Sequence, residues 1–541
     1  MNKIKSIILG GIAILTLAGC SDDTFNEFYD DPNGVTKAPC STLMTGTFYD
    51  KDGRDYTFNA YWRVYTWDNI FGKYAQTCGY KNNSGGVYFY NDGYANDRWN
   101  AFYKRLAQFR NLQNVYENED EAQQKNDRIL VDLAEVFILD HATQIADLFG
   151  DTPFFNAGML GVTDNFDGAR PAYDDDVEIY RHAIKRLGEL YTDIEAINNS
   201  KTELVTKTLT AQDYINKGDL TKWLAYANSL RLRLAVRVAL KGDLTAEGQA
   251  AIKECMTRTL VEDADNQIEV ASDLDGFNFW ENFRDGYKDI NNVASQPMID
   301  AMQRVAGTDD PRLQTMYVKN AEGNYVGTNR TETNGEQTEK GSSFNGFGNK
   351  QKYEERYYSY LEPATFTGNR LFVSPIITAA EVWFLRAEAI QRGWATGNAE
   401  AAFKKGIVES TKWYYRQNNM FEAAADEIAG GVATHYTYPG DADVETYATA
   451  LWATYSDKLE GILTQKWVNF GIIQPTQAWN DIRRTGYPAL SYPTDTQAQN
   501  MKELPNRMMY PNTEKANNRA NYDAVVSVQG DDAYTKQFWA K

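Results

Sequence analysis

Residues 379–411 read AAEVWFLRAEAIQRGWATGNAEAAFKKGIVEST. Trp383 and Ala387 stand one helical turn apart, and Ala399, Phe403 and Gly406 recur at the same helical period, so two successive segments each present one apolar, small-residue face. Gly393, followed by Trp394, ends the first helix, and Asn398 is placed to cap the second. Small residues at the facing positions let two antiparallel helices approach closely. Such a pair cannot bury its own apolar face, so further pairs must stack on it. The expected fold class is therefore mostly α, a body of helix-pair repeats with long loop-rich insertions.

The spacing resembles the tetratricopeptide (TPR) pattern. It departs from that pattern at Arg386, where leucine is usual, and at Ile390, where tyrosine is usual. Partner helices are expected near 127–148, 177–196 and 219–240. The second carries Val177, Tyr180, Ile184, Leu187, Tyr191 and Ile194 behind the Asp174–Asp175–Asp176 cluster, which suits a helix start. Asp219 can cap the third, which places Trp223, Ala227, Leu230, Leu234 and Val238 on one face. Arg231, Arg233 and Arg237 lie beside that face. They read as snorkelling side chains with solvated heads, and buried ion pairs are the alternative.

The 541 residues carry 55 Lys+Arg against 74 Asp+Glu, a formal charge of −19. Nucleic-acid binding draws on clustered Lys and Arg, so this chain lacks that footprint. Charged residues at 24% and hydrophobic residues at 43% exclude wholesale disorder. The 35 Tyr and 12 Trp are in excess, and many sit beside Asn, Gly and Asp, as on a binding surface.

Lys3 and Lys5 precede an apolar run, Ile7–Leu17, that ends in Leu17-Ala18-Gly19-Cys20. This reads as a lipoprotein signal over 1–19, with Cys20 lipidated and the chain anchored through its acyl groups. The run is too short to span a bilayer, and no later stretch is long enough. Ser21-Asp22-Asp23 resembles the acidic tag that directs some lipoproteins to the outer face of the outer membrane. Residues 20–38 read as a flexible tether and 39–541 as one domain. Cys40, Cys78 and Cys255 remain, an odd set without a C-x-x-C pair. If any two oxidise, Cys40 with Cys78 is the favoured pairing. His141, His182 and His435 are far apart and form no H-E-x-x-H, so no zinc motif and no metal ligand is assigned. No cofactor is expected. Structural calcium is the weaker reading at Asp50–Asp55 or at Asp263, Asp265 and Asn266, where solvated turns are preferred.

Long irregular stretches are expected at about 49–98, 271–296 and 319–372, and loops of that length usually carry function. The first holds Tyr88, Tyr90, Tyr94, Asn96 and Trp99, and the second holds Trp280, Arg284 and Tyr287. Flat aromatic rings stack on the apolar face of a sugar, while amides and guanidinium groups bond its hydroxyls. The ligand set chosen is Tyr88, Tyr90 and Trp280 as platforms, with Asn96, Arg284 and Tyr287 beside them. Nothing positive points to catalysis: G-x-S-x-G, a P-loop and a histidine beside a nucleophile motif are all missing.

From Cys20 to Lys541 the chain resembles the SusD/RagB-like outer-membrane nutrient-binding lipoproteins, in the SusD-like branch. The resemblance rests on Asp147-Leu-Phe-Gly-Asp-Thr-Pro-Phe154, Arg170-Pro-Ala-Tyr-Asp-Asp175, Trp223 to Arg237, Glu381 to Thr411, Gln465-Lys466-Trp467, Ala478 to Pro488 and Leu504 to Pro511, in that order. It implies four TPR-like helix pairs and a ligand face built from loops. It further implies a lid on a SusC-type TonB-dependent barrel that catches oligosaccharides outside the cell and does no chemistry. Oligopeptide capture is the alternative, since relatives bind peptides. Trp479, Arg483 and Arg484 are implied to lock the last helix to the body. Ligand residues of the family come from variable loops, so none carries over by motif.

Overall fold

A computed structural model describes residues 38–48, 69–79, 88, 90, 92–163, 169–270, 293–340, 357–369, 371–420, 433–495 and 501–541. Cys20, Asp50–Asp55, Trp280, Arg284 and Tyr287 lie outside the described residues.

Five of the long helices begin at a residue whose side chain satisfies a free N–H group of the first turn. Asp120 accepts from the Ala122 and Gln123 amides at the start of Glu121–Phe149, and that helix stops at Gly150, whose φ of 82° suits glycine. Asp175 caps Asp176–Ser200, as the acidic cluster foretold. Asp219 caps Leu220–Val238 through Thr221 and Lys222. Thr378 caps Ala379–Gln391, and Asn398 caps Ala399–Asn419 through the Ala401 amide at 3.0 Å.

The helices stack in order. Asp92–Glu117 packs on Glu121–Phe149, which packs on Asp176–Ser200, and that helix packs on Leu220–Val238. Leu220–Val238 in turn meets Ala379–Gln391, the first helix of the repeat that reads most clearly in the sequence. The repeat pairs with Ala399–Asn419, where a Cβ on Gly406 would come within 2.8 Å of the Phe384 ring. Asp441–Thr454 and Lys458–Phe470 complete this end around a second apolar cluster of Phe384, Phe403, Ile407, Val444 and Leu451. Strand is minor. Among the described residues, Ile268–Val270 pairs antiparallel with Ser374–Ile377, and Tyr317–Val318 with Tyr360–Leu361. The chain is mostly helical, as the stretch at 379–411 requires.

One expectation needs correction, and one open question is answered. Arg231, Arg233 and Arg237 do not snorkel, because Leu220–Val238 is enclosed on nearly every side and offers them no route to water. Arg233 instead grips Glu381 at 2.6 and 2.7 Å, Arg237 pairs with Asp147, and Arg231 reaches Glu254 at 2.8 Å. Nor do Cys40 and Cys78 form a disulfide: they and Cys255 are free, buried thiols.

The helix Pro475–Thr485 is locked to the body as the resemblance implied, although it is not the last one: Asn512–Asn517 and Arg519–Gln529 follow it. On Pro475–Thr485, Trp479 is buried against Phe71, and the Arg483 guanidinium lies 3.6 Å from the Trp479 ring centre. Arg484 binds Glu388 through two bonds of 2.7 Å. Burial opposes ionisation of Asp481, but Lys466 and Arg484 outweigh it and hold that carboxyl at about 2. Among the described residues, no helix is long and apolar enough to cross a membrane.

Candidate ligand site

The segment expected as a loop up to residue 98 is helical from Asp92 onward. Asn96, Trp99, Asn100 and Tyr103 therefore fall on one helix face, three and four residues apart. Opposite that face lie residues from 153–160 and 169–171 and the Asn512–Asn517 helix. Between them is a cavity of about 250 Å³, whose lining includes Trp99, Asn100, Tyr103, Pro153, Glu514 and Asn518.

Its polar groups are held in place. The Tyr103 hydroxyl donates to the Pro153 carbonyl at 2.8 Å. The Tyr173 hydroxyl donates to Glu514 Oε2 at 2.9 Å, and the Asn518 amide donates to the same oxygen at 3.2 Å and to the Pro171 carbonyl at 2.9 Å. Burial, and after it the Glu514 charge, pushes both phenols far above their ordinary range, so they remain donors. Trp99 is clamped by Tyr103, Phe149 and Tyr510 and is only 3% exposed. The cavity thus joins apolar walls to the Glu514 carboxylate, the buried Asn518 amide and the exposed Asn100 amide. Its volume lies below the roughly 300–1,000 Å³ of drug-sized sites, which fits one small ring rather than an oligomer.

The chosen residues fare unequally. Tyr88 is 1% exposed, with its hydroxyl on the Pro493 carbonyl at 2.7 Å and the Arg330 guanidinium 5.2 Å from its ring centre. It is a packing ring and not an exposed platform, because distant segments of the chain cover both its edge and its face. Tyr90 is half-buried and donates to the Met509 carbonyl at 3.3 Å. Asn96 accepts from the Thr513 hydroxyl at 2.6 Å, one turn from the cavity. Trp280, Arg284 and Tyr287 fall outside the described residues and are not brought into this geometry. Asn100, Tyr103, Glu514 and Asn518 went unnoticed in the sequence. The helix-face spacing from Asn96 could have revealed the first two, whereas Tyr173 and Glu514 meet across 341 residues.

The alternative calcium position at 263–266 is a turn. Asp263 accepts from the Asp265 amide at 2.7 Å, and both carboxylates face solvent.

The sequence profile of the SusD-like family, described as starch-binding and associating with the outer membrane, matches residues 32–511. Among solved structures, a chitin-binding protein superposes with a TM-score of 0.68 at 22% identity, covering 93% of this chain and 100% of its own. A chitin-binding SusD homolog from Flavobacterium johnsoniae gives 0.64 at 20% identity, covering 92% and 98%. A SusD homolog from Bacteroides thetaiotaomicron gives 0.63 at 19% identity, covering 93% and 99%. At these identities the likeness carries the fold. No curated protein matches the chain.

Proposed function

The chain belongs to the SusD-like family, described as starch-binding and associating with the outer membrane, and from that premise we propose that it captures oligosaccharides at the cell surface and passes them to a SusC-type TonB-dependent transporter. It does so without catalysis. The observation that carries this reading is the family match across 32–511, which takes in nearly all of the helical body. Further support comes from the lipoprotein signal read over 1–19 ahead of Cys20, the excess of Tyr and Trp, and the amphipathic cavity beside Trp99.

We place the principal ligand contacts on Trp280, Arg284 and Tyr287, with Tyr90 and with Asn96 one turn from the cavity; Tyr88 drops out of the set because it is packed. A ring stacked on a sugar contributes on the order of 1–2 kcal/mol, so affinities for single oligosaccharides fall in the micromolar to millimolar range. Isothermal titration of the full-length protein in detergent against starch-derived and chitin-derived oligosaccharides, other glycans and oligopeptides tests the proposal. Saccharide binding that weakens in Trp280→Ala is expected. Binding of peptides and of no glycan would replace this reading with oligopeptide capture.

A further inference from the structure

Three helical segments meet where the chain enters the described fold. The helix Cys40–Phe48 opens on a cysteine that is fully buried. Glu119 stands in the turn after Asp92–Glu117, and Asp127 in the second turn of Glu121–Phe149. These helices pack on one another, so Cys40 and Asp127 are positioned by helices of the body, and Glu119 by the short connection between Glu117 and Glu121. The Cys40 thiol donates to Glu119 Oε1 at 3.3 Å. One ligating atom from each of Cys40, Glu119 and Asp127 lies within 4.8 Å of the other two.

Asp127 accepts from the Gln123 side-chain amide at 2.9 Å, whereas Glu119 is poorly matched. Glu119 Oε2 is buried and accepts no hydrogen bond. Among the described residues, neither Glu119 nor Asp127 is paired with a lysine or arginine; Arg128, the next residue along, is committed to Asp132 at 2.8 Å and Asp193 at 3.2 Å. Burial raises the Glu119 carboxyl above its ordinary value, and the Asp127 and Asp120 charges add to the effect. Burial and Glu119 likewise hold the Cys40 thiol protonated. A buried carboxylate oxygen without a donor costs free energy that a bound cation would remove.

The distances fit such a cation. Zinc bonds of about 2.3 Å to sulfur and about 2.0 Å to oxygen, opened to the tetrahedral angle, set the two ligand atoms about 3.5 Å apart. Cys40 Sγ and Glu119 Oε1 are already 3.3 Å apart. A donor set of one sulfur and two carboxylates suits a borderline transition-metal ion, whereas calcium and magnesium take oxygen alone.

We propose that Cys40, Glu119 and Asp127 bind a zinc-class divalent cation, with water as the fourth ligand, fastening the first helix of the body to the helix pair 92–149. On binding, the metal–sulfur bond replaces the S–H bond and the thiol proton passes to solvent. The proposal is independent of the ligand reading above.

The test uses full-length protein purified without a histidine tag, stripped of metal by a chelator and titrated with Co²⁺ and then Zn²⁺. Stoichiometric Co²⁺ should produce a thiolate-to-cobalt charge-transfer band that Zn²⁺ abolishes, and Zn²⁺ should raise the melting temperature. Cys40→Ser should lose the band, and Glu119→Gln should weaken zinc binding by roughly 10-fold or more, since even outer partners of a metal matter that much. Should Cys40→Ser fail to fold, Asp127→Asn, which keeps the thiolate, should weaken cobalt and zinc binding by roughly 10-fold or more. No cobalt band in the wild type, or zinc affinity unchanged in the carboxylate variants, overturns the proposal.

Discussion

Asp147 shows how a single carboxylate organises this body. Its side chain accepts from the Tyr180 hydroxyl, the Arg237 guanidinium and the Asn480 amide, while its carbonyl takes Arg483 at 3.0 Å and Gln537 at 2.9 Å. Asp147→Ala would leave Arg237 buried without its partner, a loss of about 3–5 kcal/mol. Chemical denaturation should show that drop. Asp176 makes the opposite case. Burial, then the Asp151 and Asp175 carboxylates, push it up to about 8, against an ordinary value of 3.8. A folded-state value above the unfolded one means that the folded chain holds the extra proton. The resulting stabilisation is complete below about pH 4 and is lost as pH rises through about 8. Asp176→Asn should therefore flatten that part of the stability profile and melt at a higher temperature than the wild type above pH 8, as differential scanning at several pH values would record. Neither role was legible in the sequence: Asp147 belongs to a recognisable motif, yet its partners lie 33, 90 and 333 residues away.

Helices whose own apolar period dominates were readable from the sequence. The stripe from Val177 to Ile194 and the pair at 379–411 appear where their spacing put them. The start of Asp92–Glu117 was misjudged because Asp92, Gly93 and Asn96 are turn-forming residues. There, burial of Ala95, Trp99, Phe102 and Leu106 on one face overrides local preference. The same competition explains the site: Asn100 and Tyr103 become lining residues only once that helix is recognised. Close approach between elements is tested at Gly406, where an added side chain must push against the Phe384 ring at 2.8–2.9 Å. Gly406→Leu should destabilise the protein by about 1–3 kcal/mol through overpacking, measured by urea unfolding. An unchanged midpoint would mean that the two helices sit further apart than described.

Across the whole molecule, ion pairs buried between helices tie the stack together: Arg233 to Glu381, Arg237 to Asp147, Arg484 to Glu388. Composition gave the charge balance and the aromatic excess, but the enclosure of Leu220–Val238, which turns its arginines inward, arises only from packing. At this scale the account predicts a partner. Mild detergent extraction of a tagged copy should recover a TonB-dependent barrel in roughly equal amount, and repeated recovery of the tagged protein alone would count against delivery to a transporter. The central claim is capture at the cell surface, and the most direct measurement is the binding of labelled oligosaccharide to intact cells from which the native gene is deleted and replaced by wild type or Cys20→Ala. The account predicts that wild type restores surface-bound label and that Cys20→Ala, though folded, does not. Equal labelling of the deletion strain and the wild type, across glycans that the purified protein binds, would contradict it.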